Sequence, residues 1–166
     1  LRHIFTSSAS FVLIESRLAE ALTQADAVSR GLYPVELETN GLMAALEEMA
    51  RKISSTFPVQ CRFKYRKPVY VPNNSVATHV YRIAQEAVTN SVKHAGASHI
   101  DIRLIMTGSE LCISVLDDGI GFLDKPGSGG LGLHLMRHAA ALTGGDFDIR
   151  RNGEKGTIAT FRVTHL

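Results

Sequence analysis

The stretch Asp117-Asp118-Gly119-Ile120-Gly121-Phe122 decides how the rest of this sequence is interpreted. It follows an apolar run, Leu111 to Leu116, that is typical of a strand, so two carboxylates and two glycines come where that strand ends. A carboxylate at a strand end can accept hydrogen bonds from a ligand, and glycine lets a ligand or another backbone segment approach closely. The many glycines from here to Gly132 also fit a flexible linker, so the stretch alone predicts a site without proving one.

A helix is expected to begin after Pro72-Asn73-Asn74-Ser75 and to run to about Ala95, with polar side chains beside its core face. The residues expected on the core face recur at helical spacing: Val76, Val80, Ile83, Ala84, Ala87 and Ser91. At about 100° per residue, Glu86, Asn90 and Lys93 form a separate stripe about a quarter-turn away. The spacing therefore predicts a carboxylate, an amide and an ammonium in line on one helix, although an ordinary surface helix can show the same pattern.

The composition is that of an ordinary globular protein, with 45% hydrophobic and 20% charged residues. The formal net charge of +2 is too balanced to predict nucleic-acid binding. No apolar run reaches the roughly 18 residues of a membrane span, so we expect a cytoplasmic fragment; the missing initial Met suggests a longer chain that can carry membrane segments elsewhere. Cys61 and Cys112 have no partner at metal-ligand spacing, and we expect buried, reduced thiols.

The first part of the chain is predicted to form one long amphipathic helix, from about Thr6 to Gly31. Its apolar residues alternate steps of three and four, which is typical of a heptad seam. Such a helix either folds back onto its own domain or belongs to a dimerising bundle. No full partner for the seam is found in the chain, which favours the bundle.

The following segments are predicted to alternate between helices and strands. A helix should begin at the N-cap Asn40 and turn Leu42, Leu46, Met49 and Ile53 inward, and another should run from Leu133 to Thr143. The predicted strands are Val59 to Tyr65, Val69 to Val71, Ala97 to Met106, Leu111 to Leu116, Phe147 to Arg151 and Thr157 to Val163. The first two should form a hairpin around Arg66-Lys67-Pro68. This order predicts an α+β fold, with helices on one face of a mixed, mostly antiparallel sheet.

Four motifs occur in order along the chain: EAVTNSVKHA at 86–95, DDGIGF at 117–122, GGLGL at 129–133 and GT at 156–157. Together they resemble the GHKL ATPase superfamily, whose fold is the Bergerat-type two-layer α/β sandwich. The signature of a P-loop protein is absent from the sequence. Within the superfamily, the segments 30–46, 81–95 and 132–137 resemble sensor histidine kinases of the nitrate-sensor subgroup.

The resemblance implies that the protein binds ATP and Mg²⁺. It assigns Asn90 to the Mg²⁺ ion that bridges the phosphates, Lys93 to the phosphates, and Glu86 to orienting or deprotonating a nucleophile. An amide oxygen suits a hard cation, a lysine suits phosphate, and a base belongs beside the triphosphate. These three residues are those of the polar stripe, so the resemblance and the helical spacing agree.

The other residues assigned by the resemblance surround the nucleotide. Asp117 matches the carboxylate that accepts a hydrogen bond from the adenine 6-amino group, and Thr157 matches the residue that supports it through its hydroxyl and water. Gly119 and Gly121 should allow close packing around the base. Gly130 and Gly132 match the second glycine box, where free N–H groups at a helix start should face the phosphates. Ser128 and Gly129 should add backbone contacts, and Leu131 and Leu133 are also assigned to the nucleotide. Phe122 to Gly129 should be a short lid.

The resemblance further implies a protein histidine kinase that donates the ATP γ-phosphoryl group to a histidine on a dimerisation domain, for relay to a response regulator. The full-length protein should be a homodimer. The one histidine near the start, His3, is followed by Ile4 rather than an acidic residue, so we expect this fragment to lack the phosphoacceptor. Residues 1–33 would then be the C-terminal helix of a truncated dimerisation hairpin, and residues 34–166 the ATP-binding catalytic domain.

Two other functions fit the same motifs. A serine kinase of the anti-sigma type shares all four, although the segment 30–46 and the heptad helix argue against it. A non-catalytic nucleotide-sensing or dimer-interaction module would bind ATP without turning it over.

Overall fold

The computed structural model describes residues 41–121 and 130–164, in which three helices and five strands are formed. The helices are α1 (Gly41–Thr56), α2 (Asn74–Lys93) and α3 (Leu131–Leu142). The strands are β1 (Gln60–Tyr65), β2 (His99–Thr107), β3 (Glu110–Asp117), β4 (Asp146–Arg151) and β5 (Thr157–Thr164). The predictions for the long first helix, the Asn40 cap, the phosphoacceptor and the lid lie outside the described residues.

The strands form one sheet in the order β1-β2-β3-β5-β4. β1 pairs with β2 in parallel, and the three other pairs are antiparallel. The β2–β3 hairpin turns at Gly108 and Ser109, and Ile100 faces Asp117 at the other end of its ladder. The predicted mixed, mostly antiparallel sheet is therefore confirmed, and so is the α+β fold class.

The core lies where the helices pack on one face of the sheet. Alternate residues of the central strands point into it, so Ile102, Ile113 and Phe161 are almost completely buried. The alternate positions of β3 on the other face are only half-buried, and there Ser114 Oγ lies 3.4 Å from Oγ1 of Thr160, which is itself buried. This is the alternation expected for an antiparallel sheet with one covered and one open face.

α2 confirms its predicted start and core face. Asn73 is its N-cap, because its side-chain oxygen accepts hydrogen bonds from the N–H groups of Ser75 and Val76. All six residues predicted to face the core are buried. The polar stripe therefore lies at the border of the core, where its side chains can be positioned by packing.

The predicted strand from Val69 to Val71, and with it the hairpin, is wrong. β1 pairs with β2 instead, and residues 66–73 form an extended connection that leads into α2. Val71 is buried and the Val69 N–H donates to the sulfur of Met43, 3.1 Å away, so these apolar residues pack against the domain without joining the sheet. On the edge of β1, the Ser54 hydroxyl accepts a hydrogen bond from the Cys61 N–H and donates one to the Cys61 carbonyl oxygen.

The two cysteines differ in their surroundings. Cys61 is buried as predicted, and burial above all raises the pKa of its thiol to about 11, with a further contribution from the Asp101 carboxylate. Cys112 is only partly buried, because it lies on the open face of the sheet. In the described part of the chain, no helix is long and apolar enough to cross a membrane.

Candidate functional site

Asp117 is a buried carboxylate at the last position of β3, with only 5% of its surface exposed. Its Oδ1 accepts hydrogen bonds from the backbone N–H groups of Gly119 and Thr157, both at 3.0 Å, and its Oδ2 accepts one from the Ser91 hydroxyl at 2.8 Å. A carboxylate can accept about four hydrogen bonds. The side chain is thus held in one orientation and retains capacity for one more donor.

Ser91 is a candidate site residue that the sequence did not indicate. Its helical spacing predicted only that it lies on the core face of α2. Its Oγ lies 3.1 Å from the Ala87 carbonyl and 2.8 Å from Asp117 Oδ2. A hydroxyl has one hydrogen, and the carboxylate is the stronger and nearer acceptor. The available signal was that Ser91 is the only polar residue among the six predicted to face the core. Ser91 connects α2 directly to the acidic strand end.

The loop between β4 and β5 is hydrogen-bonded to the backbone of Asp117 and of the turn that follows it. Asn152 Nδ2 donates to the Asp117 carbonyl oxygen at 3.2 Å, and the Gly156 N–H donates to the Gly119 carbonyl at 2.7 Å. Gly156 has φ +86°, and a Cβ there would collide with the Asp117 backbone. The support predicted from Thr157 therefore comes from its backbone N–H, and a role for its hydroxyl stays a prediction.

The glycines after Asp117 bring backbone segments together. A Cβ at Gly119 would collide with the carbonyl group of Ala95, which follows α2. Gly121, with φ +87°, would place a Cβ 3.0 Å from the Gly156 carbonyl oxygen. The close approach predicted at these positions is thus made by the protein's own backbone, and a contact with an adenine base remains a prediction.

The Asp118 side chain accepts hydrogen bonds from the start of β2 and, among the described residues, has no hydrogen-bond partner in common with the Asp117 carboxylate. Asp118 Oδ1 accepts hydrogen bonds from the N–H groups of Ser98 and His99, both at 2.8 Å, and its Oδ2 lies 2.9 Å from His99 Nδ1. The bond from the His99 N–H contributes most to lowering the pKa of Asp118 below its usual value. Asp118 is therefore an ionised group that joins two strand ends.

The predicted phosphate-side residues lie on α2 and at the start of α3. Glu86 and Asn90 are partly buried and Lys93 is exposed. Gly132 faces Glu86 so closely that a Cβ there would collide with the Glu86 carboxylate. The structure therefore brings the carboxylate of the polar stripe against the second glycine box.

Within that box the residues differ in accessibility. Gly130 is the exposed N-cap of α3, with no atom of residues 41–121 or 130–164 near its potential Cβ, and the neighbouring Leu131 is also exposed. Leu133 is buried in the core and its N–H donates to the Gly130 carbonyl at 3.1 Å, so this N–H already has an acceptor. A phosphate contact by Leu133 stays a prediction. Ser128 and Gly129 lie outside the described residues.

The residues of the polar stripe fit a magnesium ion that is shared with phosphate. Asn90 and Glu86 offer an amide and a carboxylate oxygen one helical turn apart, and hard oxygen donors suit Mg²⁺. Among residues 41–121 and 130–164, no group of three His, Cys, Asp or Glu side chains could hold a metal by itself. Asn90 and Glu86 would accordingly share the ion with phosphate oxygens and water.

A family model matches the part of the chain that contains all of these contacts. The model of the histidine kinase-, DNA gyrase B- and HSP90-like ATPases matches residues 75–165, from the start of α2 to the end of β5. This is more than half of the chain. The chain belongs to this ATPase family. Family membership implies an ATP site, and the match spans both Asp117 and the polar stripe.

Solved structures similar to this ATPase domain come from bacterial histidine kinases. The histidine kinase domain of the blue-light-activated kinase EL346 of Erythrobacter litoralis is 26% identical, with a TM-score of 0.61 over 74% of this chain and 60% of that one. A longer structure of the same kinase is 21% identical, with a TM-score of 0.59 over 90% of this chain and 49% of that one. This chain thus spans about half to three fifths of these two structures.

A more distant solved structure shares the fold. The ATP-binding domain of PrrB from Mycobacterium tuberculosis is 19% identical, with a TM-score of 0.61 over 75% of this chain and 94% of that one. The described ATPase domain therefore has the fold of a histidine kinase ATP-binding catalytic domain. Membership of the nitrate-sensor subgroup stays a prediction.

Proposed function

We propose that this chain is the ATP-binding catalytic part of a sensor histidine kinase, which transfers the γ-phosphoryl group of ATP to a histidine of a dimerisation domain. The observation that carries the proposal is the hydrogen bond between Ser91 and Asp117. It joins the helix of the polar stripe to a buried carboxylate, which supports one site with a base-binding half and a phosphate-binding half.

Asp117 would recognise adenine as an acceptor that is held in one orientation. Adenine presents an amino group at its 6-position, whereas guanine presents a carbonyl oxygen, which the carboxylate would repel. The hydrogen bonds that already hold the carboxylate mean that little side-chain entropy is lost on binding. Asp117 therefore supports a preference for ATP over GTP.

Glu86, Asn90 and Lys93 would act on the triphosphate. Asn90 holds Mg²⁺, which when bound neutralises charge on the phosphates, and Lys93 supplies a further positive charge from the last turn of α2. Glu86 orients or deprotonates the attacking histidine nitrogen, which suits a carboxylate packed against the glycine at the start of α3. The positions support this division of work between the two helices.

The exposed side of α3 offers a surface for a helical acceptor domain. Leu135 and Leu142 are 38% and 62% exposed, whereas Met136 and Ala140 on the opposite side are buried. Exposed apolar side chains that form one patch can mark an interaction surface. An acceptor packed against the first turns of α3, beside Leu131 and Leu135, would lie on the proposed phosphate side of the site.

Transfer to a supplied acceptor tests the proposal. The chain is mixed with labelled ATP, Mg²⁺ and a separately produced dimerisation hairpin that carries the acceptor histidine, and the labelled residue is identified by its acid stability and by mass spectrometry. We expect acid-labile phosphohistidine, with transfer abolished by Asn90→Ala. An acid-stable label on serine would instead identify a serine kinase, and ATP binding without any transfer would identify a nucleotide-sensing module.

A further inference from the structure

We propose that Asp118 is a positioning residue, which fixes the adenine-binding carboxylate relative to helix α2 by clamping the turn after β3 onto residues 95–99. The inference rests on the proposed function, because it takes Asp117 as the residue that receives the base. The sequence assigned no role to Asp118 beyond its place next to Asp117.

The clamp consists of hydrogen bonds between Asp118 and the start of β2. Asp118 Oδ1 accepts from the N–H groups of Ser98 and His99, Oδ2 faces the His99 ring nitrogen, and the Asp118 N–H donates to the His99 carbonyl at 3.3 Å. The β2–β3 ladder ends at the pair Ile100 and Asp117. Asp118 thus continues the connection between the two strands by one more position, using its side chain.

The residues after Asp118 are held against the end of α2. The Ile120 N–H donates to the Ala95 carbonyl at 3.0 Å, and Gly119 lies so close to that carbonyl that a Cβ would collide with it. The turn therefore has contacts with both ends of the connection between α2 and β2. Asp118 is the one residue of the turn from 118 to 120 with a polar side chain, and that side chain accepts hydrogen bonds from Ser98 and His99.

The clamped connection is continuous with the phosphate side of the site. The N–H groups of His94 and Ala95 both donate to the Asn90 carbonyl, at 2.9 and 3.2 Å. Ala95 is thus tied at its N–H to the residue proposed to hold Mg²⁺, and at its carbonyl to the turn that follows Asp117. Asp118 holds the other end of the connection between α2 and β2, at Ser98 and His99. It would therefore set the distance between the base half and the phosphate half of the site.

A structural role alone would explain an effect of Asp118 on stability but not on base selection. Its side chain is 46% exposed, so its hydrogen bonds compete with water and the fold does not depend on burying it. Asn at this position can still accept both backbone N–H bonds, because an amide oxygen has two lone pairs. Glu keeps the charge but moves the oxygens by one methylene. These two variants separate position from charge.

Affinity for a non-hydrolysable ATP analogue and for the matching GTP analogue is measured by calorimetry, well below the unfolding temperature, for the wild type, Asp118→Ala, Asp118→Asn and Asp118→Glu. We expect Asp118→Ala and Asp118→Glu to bind the ATP analogue about fivefold to tenfold more weakly and to discriminate less against the GTP analogue. Asp118→Asn should stay within about twofold of the wild type, since the two backbone bonds remain. Asp148→Ala, which removes an exposed aspartate of β4, is the matched control and should change nothing.

The inference is overturned if Asp118→Ala keeps wild-type affinity and discrimination, or if Asp118→Asn loses as much affinity as Asp118→Ala. If Asp118→Ala does not fold, Asp118→Glu decides alone, and wild-type behaviour of that variant overturns the inference. Failure of the proposed function looks different. In that case the wild type binds neither analogue, or Asp117→Asn binds the ATP analogue as well as the wild type does.

Discussion

At the scale of single residues, Asp117 and Gly132 carry the two halves of the proposed site. Each has a neighbour that constrains it, Ser91 for the carboxylate and Glu86 for the glycine. These contacts allow binding and catalysis to be changed separately by single substitutions.

Asp117→Asn should weaken ATP binding without unfolding the domain. The Asn oxygen can replace Oδ1 as acceptor of the two backbone N–H groups, but its NH₂ group would meet the 6-amino group of adenine as a second donor. Losing a hydrogen bond to a charged group costs about 1.5–3 kcal/mol, roughly a 10- to 150-fold rise in the dissociation constant. Calorimetry of ADP binding measures this. Unchanged affinity, with Asp148→Asn as control, would remove Asp117 from the base site.

Gly132→Ala should lower phosphoryl transfer with little effect on stability. The new methyl group would displace the Glu86 carboxylate, whose side chain can rotate away. Alanine in a helix is more stable than glycine by about 0.8–1.0 kcal/mol, so the melting temperature should not fall. Transfer to the acceptor hairpin and thermal unfolding are measured on the same sample. A variant that transfers normally would show that the position of Glu86 is unimportant.

Sequence reasoning correctly placed Asp117 at a strand end and the polar stripe on one helix, because strand ends and helical spacing are local properties, while the roles of these residues stay predictions. It did not identify Ser91 as a partner of Asp117, since their contact depends on how α2 packs on the sheet. It likewise gave no role to Asp118, whose acceptor bonds reach residues on a different strand. Contacts between distant segments follow from the tertiary arrangement, which periodicity does not encode.

At the scale of elements, the loop between β4 and β5 acts as a support for the end of β3. Gly156 and Gly153 both have positive φ, but only Gly156 faces backbone of another strand. Substituting Gly153 therefore tests the backbone conformation of the loop alone, whereas substituting Gly156 also tests the packing of the loop against β3.

Gly156→Ala should destabilise the domain more than Gly153→Ala does. A left-handed conformation costs alanine about 1–2 kcal/mol, and this applies to both variants. At Gly156 the added methyl group would also collide with the Asp117 backbone and push the loop from β3, whereas at Gly153 none of the described residues lies near it. Urea unfolding gives the two free energies, and ADP affinity should fall for Gly156→Ala alone. Equal losses would mean that the loop is not docked.

The elements were predicted well where periodicity was long and poorly where it was short. The alternation of β2 and the helical stripe of α2 extend over many residues, so neighbouring signals reinforce each other. The run Val69 to Val71 has only three residues, too few to distinguish a strand from a connection whose apolar side chains pack. The parallel partner of β1 was missed as well, because the sequence suggested a local hairpin.

At the scale of the whole molecule, ligand binding and protonation should both appear in the stability of the domain. A ligand that binds the folded state alone stabilises it by about 2.7 kcal/mol at one hundred times its dissociation constant. ADP with Mg²⁺ should therefore raise the melting temperature, and removing Mg²⁺ with EDTA should reduce the rise. In Asn90→Ala the Mg²⁺-dependent part should vanish while a smaller effect of ADP remains. GDP protecting as well as ADP would contradict the role of Asp117.

Stability should fall in acid, partly through Asp118. Hydrogen bonds, that of the His99 N–H first, hold the pKa of Asp118 below its usual value of 3.8, so the folded state keeps this carboxylate ionised to lower pH than the unfolded state does. The resulting stability is present above pH 3.8 and is lost as pH falls through the lowered pKa. Urea unfolding between about pH 2 and 5 should show a shallower decline below pH 3.8 for Asp118→Asn than for the wild type. Parallel curves for the variant and the wild type would contradict this.

The parallel pairing of β1 with β2 also leads to an expected order in which the domain assembles. Thr107 faces Glu110 across a two-residue turn, so the β2–β3 hairpin closes a very short loop, whereas Gln60 pairs with His99, from which it is separated in the sequence by all of α2. Closing the longer loop costs more chain entropy, so we expect the β2–β3 hairpin to form before β1 docks beside it. The carboxylate of the proposed site lies on this hairpin, and the edge strand would complete a framework that already exists.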